Sequence, residues 1–312
     1  MILFYLLFQV LSHPLLKKSL NKEEILSYNI TETTPKHFKN TLLGFVTPWN
    51  LHGLSALEKN KHKIDIASPV LYTVSFIDGH YKIRGDDELK IDGYPRYSFE
   101  SVEQPLDVVG KLIKEHCKAH NYKGLVVDGV FSIYSHFRKQ ATDQLILLFK
   151  ELDGLDIIIA VHPFSYFTYK EVEATKKYVK MYVVMTYDYF NPNQNKNTFN
   201  APIDFIDKAM KSLGAKGPQF AIGINFYGYA FCNGRGKVVV DRKSYFDWLK
   251  MSYGQIKWHD EEEEHTFISQ DCVVNYPTLL YLKKRIDYAE LYNYSISIWE
   301  LGQGLDYFLD VF

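Results

Sequence analysis

From Leu43 to the end of the chain, short apolar runs alternate with longer stretches in which apolar residues return every three or four positions. The short runs, rich in Val, Ile, Leu and aromatic residues and bounded by Gly, Pro, Asn or Asp, predict β-strands. The longer ones predict amphipathic helices. Strands are expected at residues 43–49, 64–76, 89–94, 124–131, 156–162, 181–189, 219–227 and 295–300. Helices are expected at 105–120, 137–152, 169–179, 203–213 and 278–292; in the second of these Leu145, Leu148, Phe149 and Leu152 share one face. Strands buried on both faces read as continuous apolar runs, and eight of them interleaved with helices predict the α/β class, a (β/α)8 TIM barrel.

Two stretches break the alternation. Residues 77–88 are polar, with Gly79 and Gly85, and are barely long enough for a parallel crossover, so a shortened or missing second helix is expected. Residues 228–277, between the seventh and eighth strands, mix strand-like and helix-like pieces with a charged run and predict a small inserted α+β subdomain. The chain is then organised as 1–12 signal peptide, 13–42 N-terminal linker and 43–312 barrel, with 228–277 as an insertion.

The first eleven residues, MILFYLLFQVL, are apolar but too short to span a membrane, and small residues follow at Val10 and Ser12. They read as a secretory signal and place the protein outside the cell or in the endolysosomal lumen, with no membrane span. Asn29-Ile30-Thr31 is a glycosylation sequon in a polar linker, whereas Asn293-Tyr294-Ser295 adjoins a strand. Three cysteines allow one internal bridge; Cys232 and Cys272 flank the same insertion and are the expected pair, leaving Cys117 as a buried thiol in a helix.

A composition of 46% hydrophobic residues in 312 supports a large core, and 36 basic against 37 acidic residues leave no positive excess to recruit nucleic acid or an anionic membrane. The 24 tyrosines and 21 phenylalanines suit a carbohydrate binder that stacks rings on sugars, or a core built from aromatics in place of leucine. Two clusters of ligand-type residues carry less than their composition suggests. The run from His259 to His265, HDEEEEH, reads as a solvated acidic loop, and His116 with His120 read as the end of a helix whose negative pole favours them, so neither metal nor cofactor is expected.

The chemistry centres on the segment from Tyr122 to Phe131, YKGLVVDGVF. It resembles the fourth strand of family 18 chitinases, D-G-x-D-x-D-x-E, with one aspartate kept as Asp128 and Val130 where the glutamate stands. Further segments resemble a chitinase-like branch of that family: Gly44–Asn50, Met185–Tyr189, Asn200–Pro202, Gly223–Gly228, Tyr276–Leu279 and, most specific, Ser297–Phe308. In that branch the strand-four acid is absent as well. The resemblance implies that Trp299 floors the central sugar site and that Tyr187 and Asp188 hydrogen-bond the acetamido group and hydroxyls. It further implies that Tyr227 lines the site from strand seven and that Trp49 offers another stacking face. Glycosidic cleavage needs a positioned acid to protonate the leaving oxygen, and valine holds no such proton. The expectation is therefore a non-hydrolysing lectin for chito-oligosaccharides or related glycans. The alternatives are a hydrolase using Asp128 or a relocated acid, Glu300, and a scaffold that docks a scavenger receptor through the insertion, a partner known for the branch.

Overall fold

A computed structural model describes residues 13–30, 34–85, 91–100, 102–103, 105–189, 198–233 and 236–312, with the backbone alone at 130–132. In chain order the strands are β1 (Leu42–Val46), β2 (Ile66–Ile77), β3 (His80–Gly85), β4 (Arg96–Phe99), β5 (Gly124–Asp128), β6 (Asp156–Val161), β7 (Met181–Val184) and β8 (Phe220–Asn225). They continue with β9 (Gly228–Cys232), β10 (Gly236–Val240), β11 (Ser252–His259), β12 (Glu264–Ser269), β13 (Cys272–Asn275) and β14 (Ser295–Trp299). The helices are α1 (Lys22–Ser27), α2 (Leu51–Asn60), α3 (Leu106–Ala119), α4 (Val130–Phe137), α5 (Ala141–Glu151), α6 (Tyr169–Thr175), α7 (Ile203–Ser212), α8 (Arg242–Lys250) and α9 (Leu279–Tyr292).

Eight parallel strands close in the order β1, β2, β4, β5, β6, β7, β8, β14 and back to β1. The expected (β/α)8 barrel is therefore what this chain forms. Period-two alternation along each strand sorts the side chains into two cores. Leu43, Phe45, Ile66, Val126, Ile158 and Val183 pack inside the barrel, beneath Trp299. Their neighbours point outward under the helices, where Leu145, Leu148 and Phe149 of α5 are fully buried, the face that the sequence periodicity marked.

The boundaries differ where local chemistry overrides the apolar pattern. The third barrel strand is Arg96–Phe99, not 89–94; residues 86–90 lie outside the described residues. At Gly93 the backbone passes so close to Ala67 that a Cβ would meet its carbonyl oxygen at 2.1 Å, and Pro95 has no N–H to give to a ladder. The fourth strand stops at Asp128 because Gly129 takes φ +83°, and Val130–Phe137 then coils as α4 instead of extending the strand to 131. The sixth run ends at Val184, short of 189, and α5 starts at Ala141 after a turn of 3-10 helix at Arg138–Gln140. Between β2 and β4 the described residues hold no helix; β3 folds back on β2 as an antiparallel hairpin. Helix α2 follows the first strand and was not marked by periodicity.

The insertion is a five-stranded antiparallel sheet in the order β10, β9, β13, β12, β11, with α8 packed on one face through Tyr245 and Leu249. The expected disulfide is present: Cys232 and Cys272 are paired neighbours on β9 and β13, and Cys117 is a buried free thiol. Residues 1–12 and Thr31 lie outside the described residues, while Asn29 is exposed. In the second sequon, Asn293 caps α9 and Ser295 is buried in β14. His120, which caps the end of α3, donates from Nδ1 to the carbonyl of His116 at 2.9 Å, as a helix end invites, and His116 bonds Tyr97.

The acidic run is not a solvated loop throughout. Residues 260–263 form the turn of the β11–β12 hairpin, but Glu264 and His265 are buried at the start of β12. His265 faces the Lys18 carbonyl at 3.0 Å through Nε2 and the Thr278 hydroxyl at 2.9 Å through Nδ1. The carbonyl can only accept, so Nε2 carries a proton and donates it there. Burial pushes its pKa from 6.5 to about 4. The unfolded chain thus takes up a proton between pH 6.5 and 4 that the folded chain refuses. Stability is full above pH 6.5 and should fall as pH drops, by about 3 kcal/mol over the window. Urea unfolding of wild type and His265→Gln across that range tests this; parallel curves would remove His265 as the cause.

Candidate functional site

The C-terminal ends of the barrel strands carry the expected site residues, and the structure sorts them into two groups. In the first group, Asp128 ends β5 on the same face as Val126, an interior position. Strand β4 runs alongside, and its Arg96 reaches across to Asp128. Arg96 Nε donates to Asp128 Oδ2 at 2.7 Å, Nη2 donates to the same oxygen, and Gly129 N donates to Oδ1 at 2.5 Å. The pair is mostly buried, with side-chain exposures of 21% and 14%. A guanidinium and a backbone N–H only donate, so these three contacts hold Asp128 as an acceptor.

Trp299 ends β14. Its indole lies against Phe45 with ring centroids 5.2 Å apart, caps the interior core, and remains partly exposed; the Arg96 guanidinium stands 5.7 Å from its centre. The peptide bond between Trp299 and Glu300 is cis. Tyr187 and Asp188 follow β7. Burial and the neighbouring carboxylates of Asp128 and Asp188 raise the Tyr187 phenol well above its usual range, so it stays a neutral hydrogen-bond donor. Asp188 Oδ1 accepts from the hydroxyls of Tyr227 at 2.6 Å and Tyr229 at 2.5 Å. The ring of Tyr227 meets Tyr187 edge-on at 6.2 Å. Asp128, Tyr187, Asp188, Tyr227 and Trp299 are thus brought together at one barrel mouth.

Trp49 and Glu300 belong to a second group. Glu300 follows Trp299 in sequence but turns to the β1 side, where it is 2% exposed. Its carboxylate accepts from Thr47 Oγ1 at 3.1 Å, Asn50 Nδ2 at 2.9 Å and the Gly302 amide. Burial raises its pKa and these three donors oppose the rise. Trp49 is 71% exposed and, with Asn50, His52, Arg242 and Glu300, lines a cavity of about 200 Å³ between β1 and the insertion. Among the described residues one trio of ligand-type side chains lies close enough to hold a cation, Cys232, Asp271 and Cys272, and its sulfurs are joined to each other.

Sequence reasoning missed Arg96 because it placed the third strand seven residues too early. It also missed Tyr229, the second tyrosine on Asp188, and the exposed Phe164 and Tyr166 that follow β6 at the same barrel end. An isolated charge in an apolar barrel strand, RYSF, was the available signal for Arg96.

The model of glycosyl hydrolases family 18 matches residues 110–304. The chain belongs to that family. Solved structures agree on its fold. A chitinase from Chromobacterium violaceum superposes with a TM-score of 0.71 at 14% identity, covering 88% of this chain and 98% of that one. The spore cortex-lytic enzyme SleL of Bacillus megaterium gives 0.70 at 15%, covering 90% and 74%. A plant class V chitinase mutant from Cycas revoluta, solved in complex with (GlcNAc)3, gives 0.64 at 12%, covering 87% and 98%. Within the family 18 barrel, Tyr187 and the Trp299 indole are partly exposed, and Tyr227 and Tyr229 are buried against Asp188.

Proposed function

We propose that this family 18 member is a chitinase-like lectin that binds β-1,4-linked N-acetylglucosamine oligosaccharides, or closely related glycans, and does not hydrolyse them efficiently. The observation that carries this reading is the Arg96 clamp on Asp128. The only carboxylate left from the resembling motif spends both oxygens on donors, and the guanidinium that clamps it stands 5.7 Å from the Trp299 ring. Those donors hold it as an acceptor and not as a donor to a leaving oxygen, and a positioned general acid is worth roughly 10²- to 10⁴-fold in rate. Val130 stands at the motif's glutamate in sequence; its side chain lies outside the described residues. Within the family, the segment Ser297–Phe308 most resembles chitinase domain-containing protein 1, the stabilin-interacting chitinase-like lectin, and we assign the chain to that type. The Cys232–Cys272 bridge supports a secreted or endolysosomal location, since disulfides persist in oxidising compartments. Docking of a scavenger receptor is the alternative role for the insertion.

The second reading, a hydrolase with Glu300 as relocated acid, draws on the burial that raises its pKa and on its place beside the Trp49 cavity. Three donors aimed at its oxygens favour the carboxylate and oppose that role. Calorimetry and product chromatography on chitotetraose separate the two. Wild type is expected to bind with micromolar or weaker affinity and to release no shorter oligomer over hours. Steady release that Glu300→Gln or Asp128→Asn abolishes would overturn the lectin reading.

A further inference from the structure

Helix α9 ends at Tyr292, and Asn293 closes it in the left-handed conformation, at φ 57°, with its N–H turned back to the carbonyls of Ala289 and Glu290. After glycine, asparagine is the residue that best tolerates this cap. Its side chain stands in solvent. Asn40 Nδ2 donates to Asn293 Oδ1 at 3.0 Å and to the Tyr294 carbonyl at 2.9 Å, which turns the oxygen of the Asn293 amide toward Asn40. The other branch of that amide, Nδ2, has no protein partner among the described residues. Two residues on, Ser295 is fully buried in β14, and its hydroxyl donates to the Pro218 carbonyl at 2.7 Å. Asparagine followed two residues later by serine is the acceptor pattern for N-linked sugar. In the folded barrel the serine is closed off, while the nitrogen that would carry the sugar is open.

The surface around Asn293 suits a first sugar residue. Leu291 is 76% exposed and Tyr292 is 41% exposed. Tyr292 stacks on buried Tyr294 with centroids 5.7 Å apart and planes at 14°, and it meets Tyr288 at 4.8 Å. Packing thus holds its ring in place beside an exposed apolar side chain, and the C–H face of a pyranose packs on such a surface. The position also leaves the sugar-binding face open. Strand β14 runs five residues from Ser295 to Trp299, a climb of roughly 3.3 Å per residue. Asn293 therefore lies at the barrel end opposite the indole, and a glycan there does not reach over the mouth.

We infer that Asn293 carries an N-linked glycan, added before β14 joins the barrel. In the transfer a bond forms between Asn293 Nδ2 and the anomeric carbon of the first N-acetylglucosamine of a lipid diphosphate-linked oligosaccharide. The bond from that carbon to the phosphate oxygen breaks, the lipid diphosphate leaves, and the nitrogen gives up a proton. The order of events follows from Ser295. The transferring enzyme reads its hydroxyl, and that hydroxyl is committed to Pro218 once β14 docks. The inference rests on the secreted or endolysosomal location proposed above and goes beyond the sugar expected on Asn29.

The full chain, expressed with its own N-terminus in cultured mammalian cells, tests it. Protein from the medium and from the cells is treated with peptide N-glycosidase in heavy-oxygen water, and its peptides are read by mass spectrometry. Removing a sugar turns the asparagine that carried it into a labelled aspartate, so occupied positions mark themselves. Asn293→Gly is the companion variant: it deletes the acceptor and places the commonest residue at that cap, so the fold is kept. Label at Asn293 is expected in the majority of secreted molecules, and Asn293→Gly is expected to run faster on a gel by one glycan while melting near enzymatically deglycosylated wild type. Secreted protein with Asn293 unlabelled overturns the site, whatever Asn29 carries, and leaves the location standing. Protein held in the cytosol with both asparagines unlabelled overturns the location itself, and the site falls with it.

Discussion

Trp299→Ala is expected to weaken chitotetraose binding by at least about 30-fold, the cost of about 2 kcal/mol that truncating a central aromatic anchor carries. The indole is a partly exposed apolar face at the barrel mouth, with the Arg96 guanidinium 5.7 Å from its centre and Arg96 bound to Asp128. A sugar stacked there exchanges water on an apolar face for ring contact and keeps its hydroxyls at the polar rim. The same indole caps the interior core against Phe45, so alanine also opens a void, and Trp-to-Ala in a packed core costs about 3–5 kcal/mol of stability. Trp299→Phe separates the two roles. Phenylalanine keeps much of the plug and shortens the stacking face, so binding should weaken several-fold while the melting temperature stays near wild type. Calorimetry beside thermal unfolding reads both quantities. Wild-type affinity in a folded Trp299→Ala protein would make the indole a core lid and leave the proposed sugar site without a floor.

The barrel was legible in the chain because its strands are buried on both faces. Runs such as Leu125-Val126-Val127 and Ile157-Ile158-Ile159 have no polar residue to blur them, and Gly or Asp marks their ends. Boundaries failed where backbone geometry at a single residue decided them. Gly129 at φ +83° turns the chain into α4, and the approach of Gly93 to Ala67 pushes the third strand beyond Pro95. The misplaced third strand concealed Arg96, although the surviving Asp128 was found. The Asp188 pocket was only half visible for a different reason. Tyr187 and Asp188 are neighbours in sequence, but Tyr229 arrives from the first strand of the insertion and is matched to them only by the fold. The acidic run shows the same limit more sharply. Glu261, Glu262, Glu263 and Glu264 are identical letters, and the buried one is chosen by Arg285, a residue on α9. Periodicity and composition report what is local, and pairs of this kind are not local.

Arg285→Leu is expected to be the most destabilising single substitution outside the core, at about 3–5 kcal/mol, because it removes one partner of a buried ion pair. Arg285 is 0% exposed. It donates to the carbonyls of Glu263 at 2.6 Å, Ala201 at 2.7 Å and Glu262 at 3.1 Å, and lies 3.8 Å over the Tyr281 ring. One guanidinium thereby ties α9 to the hairpin turn of the insertion and to the loop before α7. Its Nη2 is 4.0 Å from Glu264 Oε1, and Glu264 accepts from Ala201 N at 2.7 Å, Asn200 N at 3.1 Å and Asn275 Nδ2 at 2.5 Å. Leucine fills the space but takes the guanidinium donor from the carbonyls of Glu263 and Ala201, while Glu262 keeps the Ile203 amide, and leaves a carboxylate buried without its cation. In a chain of this size the loss should lower the melting temperature by roughly 10 °C. Burial already raises the Glu264 pKa, Arg285 restrains the rise, and without it the folded protein holds the proton to higher pH. A raised carboxyl contributes stability below its unfolded pKa and loses it as pH climbs through the folded value. The deficit of Arg285→Leu relative to wild type should therefore shrink as pH is lowered toward 4. Adding Glu264→Gln should recover part of the loss at neutral pH, since the uncompensated charge is gone. A deficit independent of pH and unaltered by Glu264→Gln would assign the cost to the orphaned carbonyls instead of the ion pair.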